Sequence, residues 1–262
     1  MEASGSQSKS VLSRLRVVWL NLSFWTFFSV VTLCFAIGAP IYCYAFNLVL
    51  RDRRRTLRLI RRTIGRYGGI IIRCGWPLVR VRFEDFGPND KPPFVFVANH
   101  RSSSDPFLLA VMRLECIQVM NIWPSRVPLI GCFSRAAGYL RVREMPFEEF
   151  VEKGSQLLAE GVSLIAFPEG TRSGSGRMNQ FHGSAFRLAQ TAGATICPIV
   201  ISGNENIPHR GSLVMHPGRI TISKLPALTS EDYKDMSPYV LKTRVREMIQ
   251  GHLDQQPAQM GA

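Results

Sequence analysis

From Val17 to Leu50 the chain runs for 34 residues without an Asp, Glu, Lys, Arg or His. A secretory signal core spans roughly 7–15 apolar residues and ends at a small-residue cleavage site. Here the run is longer and ends on Arg51, Arg53, Arg54 and Arg55, so it is expected to stay in the protein as a membrane anchor. As one helix it would measure about 51 Å at 1.5 Å per residue, against a hydrocarbon core of roughly 30 Å. It must therefore tilt, kink or turn back, and Gly38-Ala39-Pro40 is where proline would break the helical ladder. A hairpin would bring Arg14 and Arg16 to the same anionic leaflet as the later arginines; a single tilted span would be oriented by the heavier C-terminal cluster. Both geometries place the following domain on the cytoplasmic face. The competing reading is a buried helix pair of a soluble protein, although core helices seldom run this far without a charge on an exposed face.

Charge follows the same division. Residues 1–66 hold eleven Lys and Arg against two acidic residues, out of a net charge of +13 for all 262 residues. The excess is local, so it reads as a basic flank that meets lipid phosphate and not as a nucleic-acid surface. Two parts are expected: an anchor with its basic flank over 1–66 and one globular domain over 67–262. The six cysteines are scattered and show none of the CxxC-type spacing that zinc or a redox pair requires, so they are expected to be reduced and mostly buried, with no metal site.

Past Gly68-Gly69, β-branched runs occur at 79–83, 94–98, 162–167, 196–201 and 219–222. Helical patterns occur at Phe107 to Leu114, Phe147 to Leu158, Phe181 to Ala189 and Ser230 to Leu253. Strands alternating with helices give an α/β class, a mostly parallel sheet flanked by helices. Residues 1–10 and 254–262 are polar ends.

Two motifs sit at the ends of apolar strands, where α/β folds open their ligand crevices. The first is Asn99-His100-Arg101-Ser102-Ser103-Ser104-Asp105-Pro106. A histidine five residues before an aspartate can be bridged across a tight turn, so that the carboxylate accepts a hydrogen bond from Nδ1–H and leaves Nε2 as a base. No GxSxG serine accompanies it; a substrate hydroxyl could fill the nucleophile's place. Asp105-Pro106 also has the plain reading of a turn starter or helix cap. The second motif is Phe167-Pro168-Glu169-Gly170-Thr171-Arg172-Ser173, continued by Gly174-Ser175-Gly176-Arg177. It offers a guanidinium, hydroxyls and flexible backbone donors, the equipment for gripping a phosphate. Glu169 is expected to position Arg172 or to contact acceptor hydroxyls. A P-loop spacing cannot be laid on this stretch.

Together these motifs resemble the glycerolipid acyltransferase family, which includes the 1-acylglycerol-3-phosphate (lysophosphatidic acid) acyltransferases. Its NHxxxxD pattern is matched by Asn99, His100 and Asp105, and its FPEGTRS pattern by Phe167 to Ser173 without a gap. Two weaker blocks have counterparts at Gly138 to Arg143 and Ile196 to Ile201. The second block carries Val142-Arg143 where the family usually has Asp-Arg, and His182 stands where a lysine is common. The resemblance implies direct acyl transfer without an acyl-enzyme. His100 would act as base oriented by Asp105, while Glu169, Gly170, Thr171 and Arg172, with Arg101 and Arg143, hold the acceptor. The donor would be acyl-CoA or acyl-carrier protein, used as co-substrate with no further cofactor. The partners would be membrane phospholipid and a lysophospholipid, with 1-acylglycerol-3-phosphate going to phosphatidic acid as the leading case. Another acceptor, such as a lyso-ornithine lipid, remains open, as do thioester hydrolysis and a non-enzymatic adaptor role.

Overall fold

The structure is a computed structural model that describes residues 2–121, 126–173, 177–209 and 211–255. Its first helix, α1, runs from Glu2–Leu50 without a break at Pro40, about 74 Å at 1.5 Å per residue. The reversal expected near Gly38-Ala39-Pro40 comes instead at Arg51-Asp52, where the Asp52 side chain accepts the Arg55 amide and caps the second helix, α2 (Arg53–Arg73). The two helices lie against one another: Thr32 and Tyr67 share a hydrogen bond of 2.8 Å, and Phe35 stacks on Tyr67.

The segment Val11–Val49 is long and apolar enough to cross a membrane, and 6% of its most apolar stretch is buried in the protein. That exposure removes the reading of a buried helix pair. Leu20 and Phe24 are the side chains of α1 that are buried in the core beneath the sheet, with Trp25, Phe28 and Val31 packed beside them.

Among the described residues seven strands form one sheet: β1 (Val79–Asp85), β2 (Phe94–Ala98), β3 (Cys116–Met120), β4 (Leu140–Arg141), β5 (Ser163–Ala166), β6 (Thr195–Ser202) and β7 (Gly218–Lys224), in the order β1-β7-β6-β2-β5-β3-β4. All neighbours are parallel except β6 and β7, so the α/β class with a mostly parallel sheet is observed. All five expected strands are present within one or two residues of their sequence bounds.

The remaining helices are a short turn α3 (Asp105–Leu108) leading into a 3₁₀ turn, α4 (Pro128–Ala137), α5 (Phe147–Ala159), α6 (Ser184–Ala192), α7 (Ser230–Tyr233) and α8 (Pro238–Gln255). Two helical expectations need correction. The stretch 107–114 is a single turn plus 3₁₀, and the C-terminal stretch is two helices, interrupted just before Pro238, whose ring cannot sit inside a continuing helix.

β2 is buried on both faces. Val95 and Val97 pack with Phe150, Phe186, Leu188 and Val245 of α5, α6 and α8; Phe94, Phe96 and Ala98 pack on the other side with Ile71, Leu108 and α1. Each large side chain so buried contributes about 1.5–3 kcal/mol. α2 approaches this second layer closely, since a Cβ on Gly68 would lie 3.0 Å from that of Ala110. All six cysteines are free as expected, but only Cys197 is buried; Cys34, for example, lies on the exposed face of α1.

Candidate active site

The sheet order brings three strand tips together. β2 lies between β5 and β6, all three running the same way, so Asn99-His100, Phe167 to Glu169 and Gly203-Asn204 emerge side by side at one edge. Asn99 is fully buried and locks two of these tips. Its amide donates to the Ile201 carbonyl, and its carbonyl oxygen accepts from the Ile201 amide, both at 2.8 Å.

His100 and Asp105 face one another as the spacing requires. Nδ1 lies 2.7 Å from Asp105 Oδ2, which also accepts the amides of Arg101 at 2.7 Å and Ser102 at 2.9 Å. The other carboxylate oxygen accepts the Asn204 side-chain amide. A buried carboxylate surrounded by donors acts as acceptor, so the proton between the pair sits on Nδ1, and in the neutral imidazole Nε2 carries the lone pair. Asp105 is inaccessible to solvent while the His100 side chain is 19% exposed, and the imidazole lines a cavity of about 2550 Å³.

The second motif grips His100 by its backbone. Glu169 Oε1 accepts the His100 amide at 2.7 Å, and the Ser173 amide donates to the His100 carbonyl at 2.8 Å. Glu169 Oε2 accepts the Asn179 amide at 2.8 Å, and the residue is 4% exposed. Burial raises its pKa; the two backbone donors, with His100 and Arg101 behind them, oppose that rise. Gly170 adopts a left-handed φ of +69°, with the His182 ring where a Cβ would be crowded. The Phe167 ring lies against His100 with centroids 4.7 Å apart.

The cavity collects His100, Gly170, Thr171, Arg172 and Arg143, together with His182. Glu169 and Arg101 do not line it; Arg101 pairs with Glu205. The rest of the wall combines apolar side chains of α1 and α2, such as Phe24, Phe28 and Ile71, with arginines of α2, such as Arg62 and Arg66, and residues of the following elements, such as Phe107 and Phe133. Gly174, Ser175 and Gly176 lie outside the described residues, as does the chain end beyond Gln255.

Sequence reasoning missed Asn204 and Ser102. Ser102 Oγ donates to the Ile207 and Pro208 carbonyls at 3.0 and 3.2 Å. The available signal was a third polar tip, Gly203-Asn204-Glu205, after the apolar run of β6.

Residues 79–202 match the family model described as Acyltransferase. A 1-acyl-sn-glycerol-3-phosphate acyltransferase of Limnanthes alba is 30% identical over 63% of this chain and 60% of its own length. The alpha form of Ovis aries is 30% identical over 66% of this chain and 63% of its own, and a chloroplastic enzyme of Arabidopsis thaliana is 29% identical over 52% and 40%. The chain thus spans about half the length of the curated relatives it matches. The crystal structure of the 1-acyl-sn-glycerophosphate (LPA) acyltransferase PlsC from Thermotoga maritima superposes with a TM-score of 0.74 at 20% identity, covering 95% of this chain and all of that one, which shows a shared fold.

Proposed function

We propose that this chain moves a fatty acyl group from a thioester donor to the free hydroxyl of 1-acylglycerol-3-phosphate, giving phosphatidic acid, a reading supported by the match of residues 79–202 to the family model described as Acyltransferase. The observation that carries the mechanism is the 2.7 Å contact between His100 Nδ1 and an Asp105 carboxylate already filled with donors. Nε2 takes the proton of the acceptor hydroxyl as its oxygen attacks the thioester carbonyl. The tetrahedral adduct collapses, the C–S bond breaks, and the imidazolium returns its proton to the departing thiolate. Asp105 stabilises the imidazolium in between. General-base assistance of this kind contributes typically ~10²–10⁴ in rate, and holding two substrates together adds to it. The reaction as written calls for no metal or bound cofactor.

Small-molecule pockets hold roughly 300–1,000 Å³, so a cavity of about 2550 Å³ has room for two long amphipathic substrates. Arg172, with Thr171 and the backbone at Gly170, receives the acceptor phosphate, and Arg143 adds charge at the same wall. Glu169 acts by holding His100 and Asn179 in place, its two oxygens being committed to their amides. Arg101 serves the loop that carries Glu205. The apolar α1 anchors the enzyme in the bilayer where acceptor and product reside, with the α/β domain on the cytoplasmic face.

The test is purified full-length protein with labelled acyl-CoA or acyl-carrier protein and a panel of lysolipids, products read by mass spectrometry. Labelled phosphatidic acid formed only with added 1-acylglycerol-3-phosphate supports the reading. Free fatty acid released at the same rate with no acceptor makes the chain a thioesterase, and transfer to a different lysolipid reassigns the acceptor. Arg172→Ala is expected to raise the acceptor KM about tenfold, the loss of a charge-assisted hydrogen bond; an unchanged KM removes Arg172 from the phosphate site.

A further inference from the structure

Asn21 is a carboxamide within the apolar run, on the side of α1 that also buries Leu20 and Phe24. Its Nδ2 donates to the Met215 carbonyl at 2.8 Å, and its Oδ1 accepts the Met215 amide at 2.8 Å. That reciprocal pair joins residues 194 positions apart and leaves the carboxamide satisfied against an otherwise apolar neighbourhood. Trp25, one turn on, donates its Nε1 proton to the Leu213 carbonyl at 3.1 Å. Apolar packing of Leu20 and Phe24 selects which side of α1 faces the protein, but the paired bonds of Asn21 fix how far along its axis the helix sits. A slide of one turn, about 5.4 Å, breaks them.

The segment held this way leads back to the reacting pair. The His216 amide donates to the Asn206 carbonyl at 3.1 Å, and the Ile207 amide to the Asn204 carbonyl at 3.0 Å. The Ile207 and Pro208 carbonyls accept the Ser102 hydroxyl, Glu205 pairs with Arg101, and Asn204 donates to Asp105. Among the described residues, Asn204 is the side chain from outside the turn of residues 100–105 that bonds Asp105. Asn21 itself does not line the cavity and so cannot act on substrate directly.

We propose that Asn21 is a positioning residue for the His100–Asp105 pair: through residues 213–216 and the bonded segment 203–208 it ties the seating of the apolar helix to the carboxylate that orients the base. When α1 is seated, the loop holds Asn204 on Asp105, and Asp105 holds the imidazole in its Nδ1–H form. When α1 is displaced, the carboxylate loses that donor and the imidazole its fixed orientation. The kinetic part of this proposal rests on the acyltransferase reading; the structural part does not.

The experiment uses the full chain in detergent and in phosphatidylcholine vesicles. Asn21→Leu removes the paired bonds while keeping side-chain size and helix hydropathy. Its kcat for acyl transfer is expected to fall about tenfold, the effect of one hydrogen bond to a charged group, with both substrate KM values unchanged. The imidazole Nδ1 proton signal of nitrogen-15 histidine-labelled protein, assigned with His100→Gln, is expected to lose its protection from exchange. In Asn21→Leu combined with Asn204→Ala the loss should equal that of Asn204→Ala alone, because the two act in series. Ser23→Ala, which deletes only bonds within α1 to Trp19 and Leu20, should change neither readout. Multiplying effects in the double variant, or a wild-type proton signal in Asn21→Leu, overturns the proposal. Should Asn21→Leu not fold, Trp25→Phe is read by the same signal, with a smaller loss expected and no loss overturning the idea. A wild-type protein that transfers no acyl group defeats the proposed function, and the proton signal still decides the role of Asn21.

Discussion

Around His100 the chain supplies its own partners, whereas along α1 it supplies almost none. Asp105 and Glu169 are buried, and their oxygens are filled by backbone amides, the imidazole and Asn204. Leu22, Leu33, Ile37 and Ile41, by contrast, are 65, 62, 58 and 65% exposed, one after another along a single helix. Polar groups buried with every bond made define one rigid geometry. A continuous apolar face of this length with no protein against it marks a surface meant for another apolar phase. The first region is finished by folding alone; the second is finished only by what surrounds the protein.

Substitutions in the two regions should therefore separate cleanly. The largest effect is expected from His100→Ala, with kcat/KM for acyl transfer down by ~10²–10⁴ while the thermal midpoint and vesicle binding stay at wild-type values. A variant that unfolds, or one that keeps its rate, breaks the assignment of the base. Leu33→Lys comes next. A charge at the centre of a membrane segment costs about 2.5–3.5 kcal/mol, so vesicle co-sedimentation should weaken about a hundredfold while turnover on detergent-dispersed substrate is retained. Unaltered sedimentation would mean that this face is covered by protein and not by lipid.

The smallest effect tests the buried carboxylate. With its pKa raised by burial, folded Glu169 still holds a proton at pH values where the unfolded chain has released it. That contribution to stability is present at low pH and is lost as pH rises from the ordinary glutamate value through the raised one. Glu169→Gln should remove this decline in denaturation midpoints above about pH 4.5. It should also lower the midpoint at every pH, because its amide group cannot accept a backbone N–H, a penalty of about 1–3 kcal/mol. A wild-type pH slope in the variant would place the titration elsewhere.

Much of the fold was readable because its signals are local. β2, β5 and β6 are apolar runs closed by polar tips, and α5 shows its apolar stripe through Phe150 and Leu158. Less visible was α2, whose stripe of Leu57, Ile60, Ile64 and Ile71 is masked by eight arginines and by Gly68, which its close approach to Ala110 requires. β3, β4 and α4 went unread. The two strands have five and two residues, too few to show a period of two, and their pairing with β5 and with each other comes from neighbours distant in sequence.

The sequence by itself determined that the chain carries an apolar helix of membrane length, an α/β domain, and a histidine and aspartate spaced to meet across one turn, because hydrophobic periodicity and a five-residue reach are properties of adjacent residues. Only the tertiary structure decided that Glu169 and Ser173 clamp the His100 backbone, that Asn204 completes the carboxylate's shell, and that Asn21 of the apolar helix holds the loop which carries Asn204. Those bonds join residues separated by 69 to 194 positions, and nothing in a linear pattern specifies them until parallel strand pairing lays the three polar tips side by side.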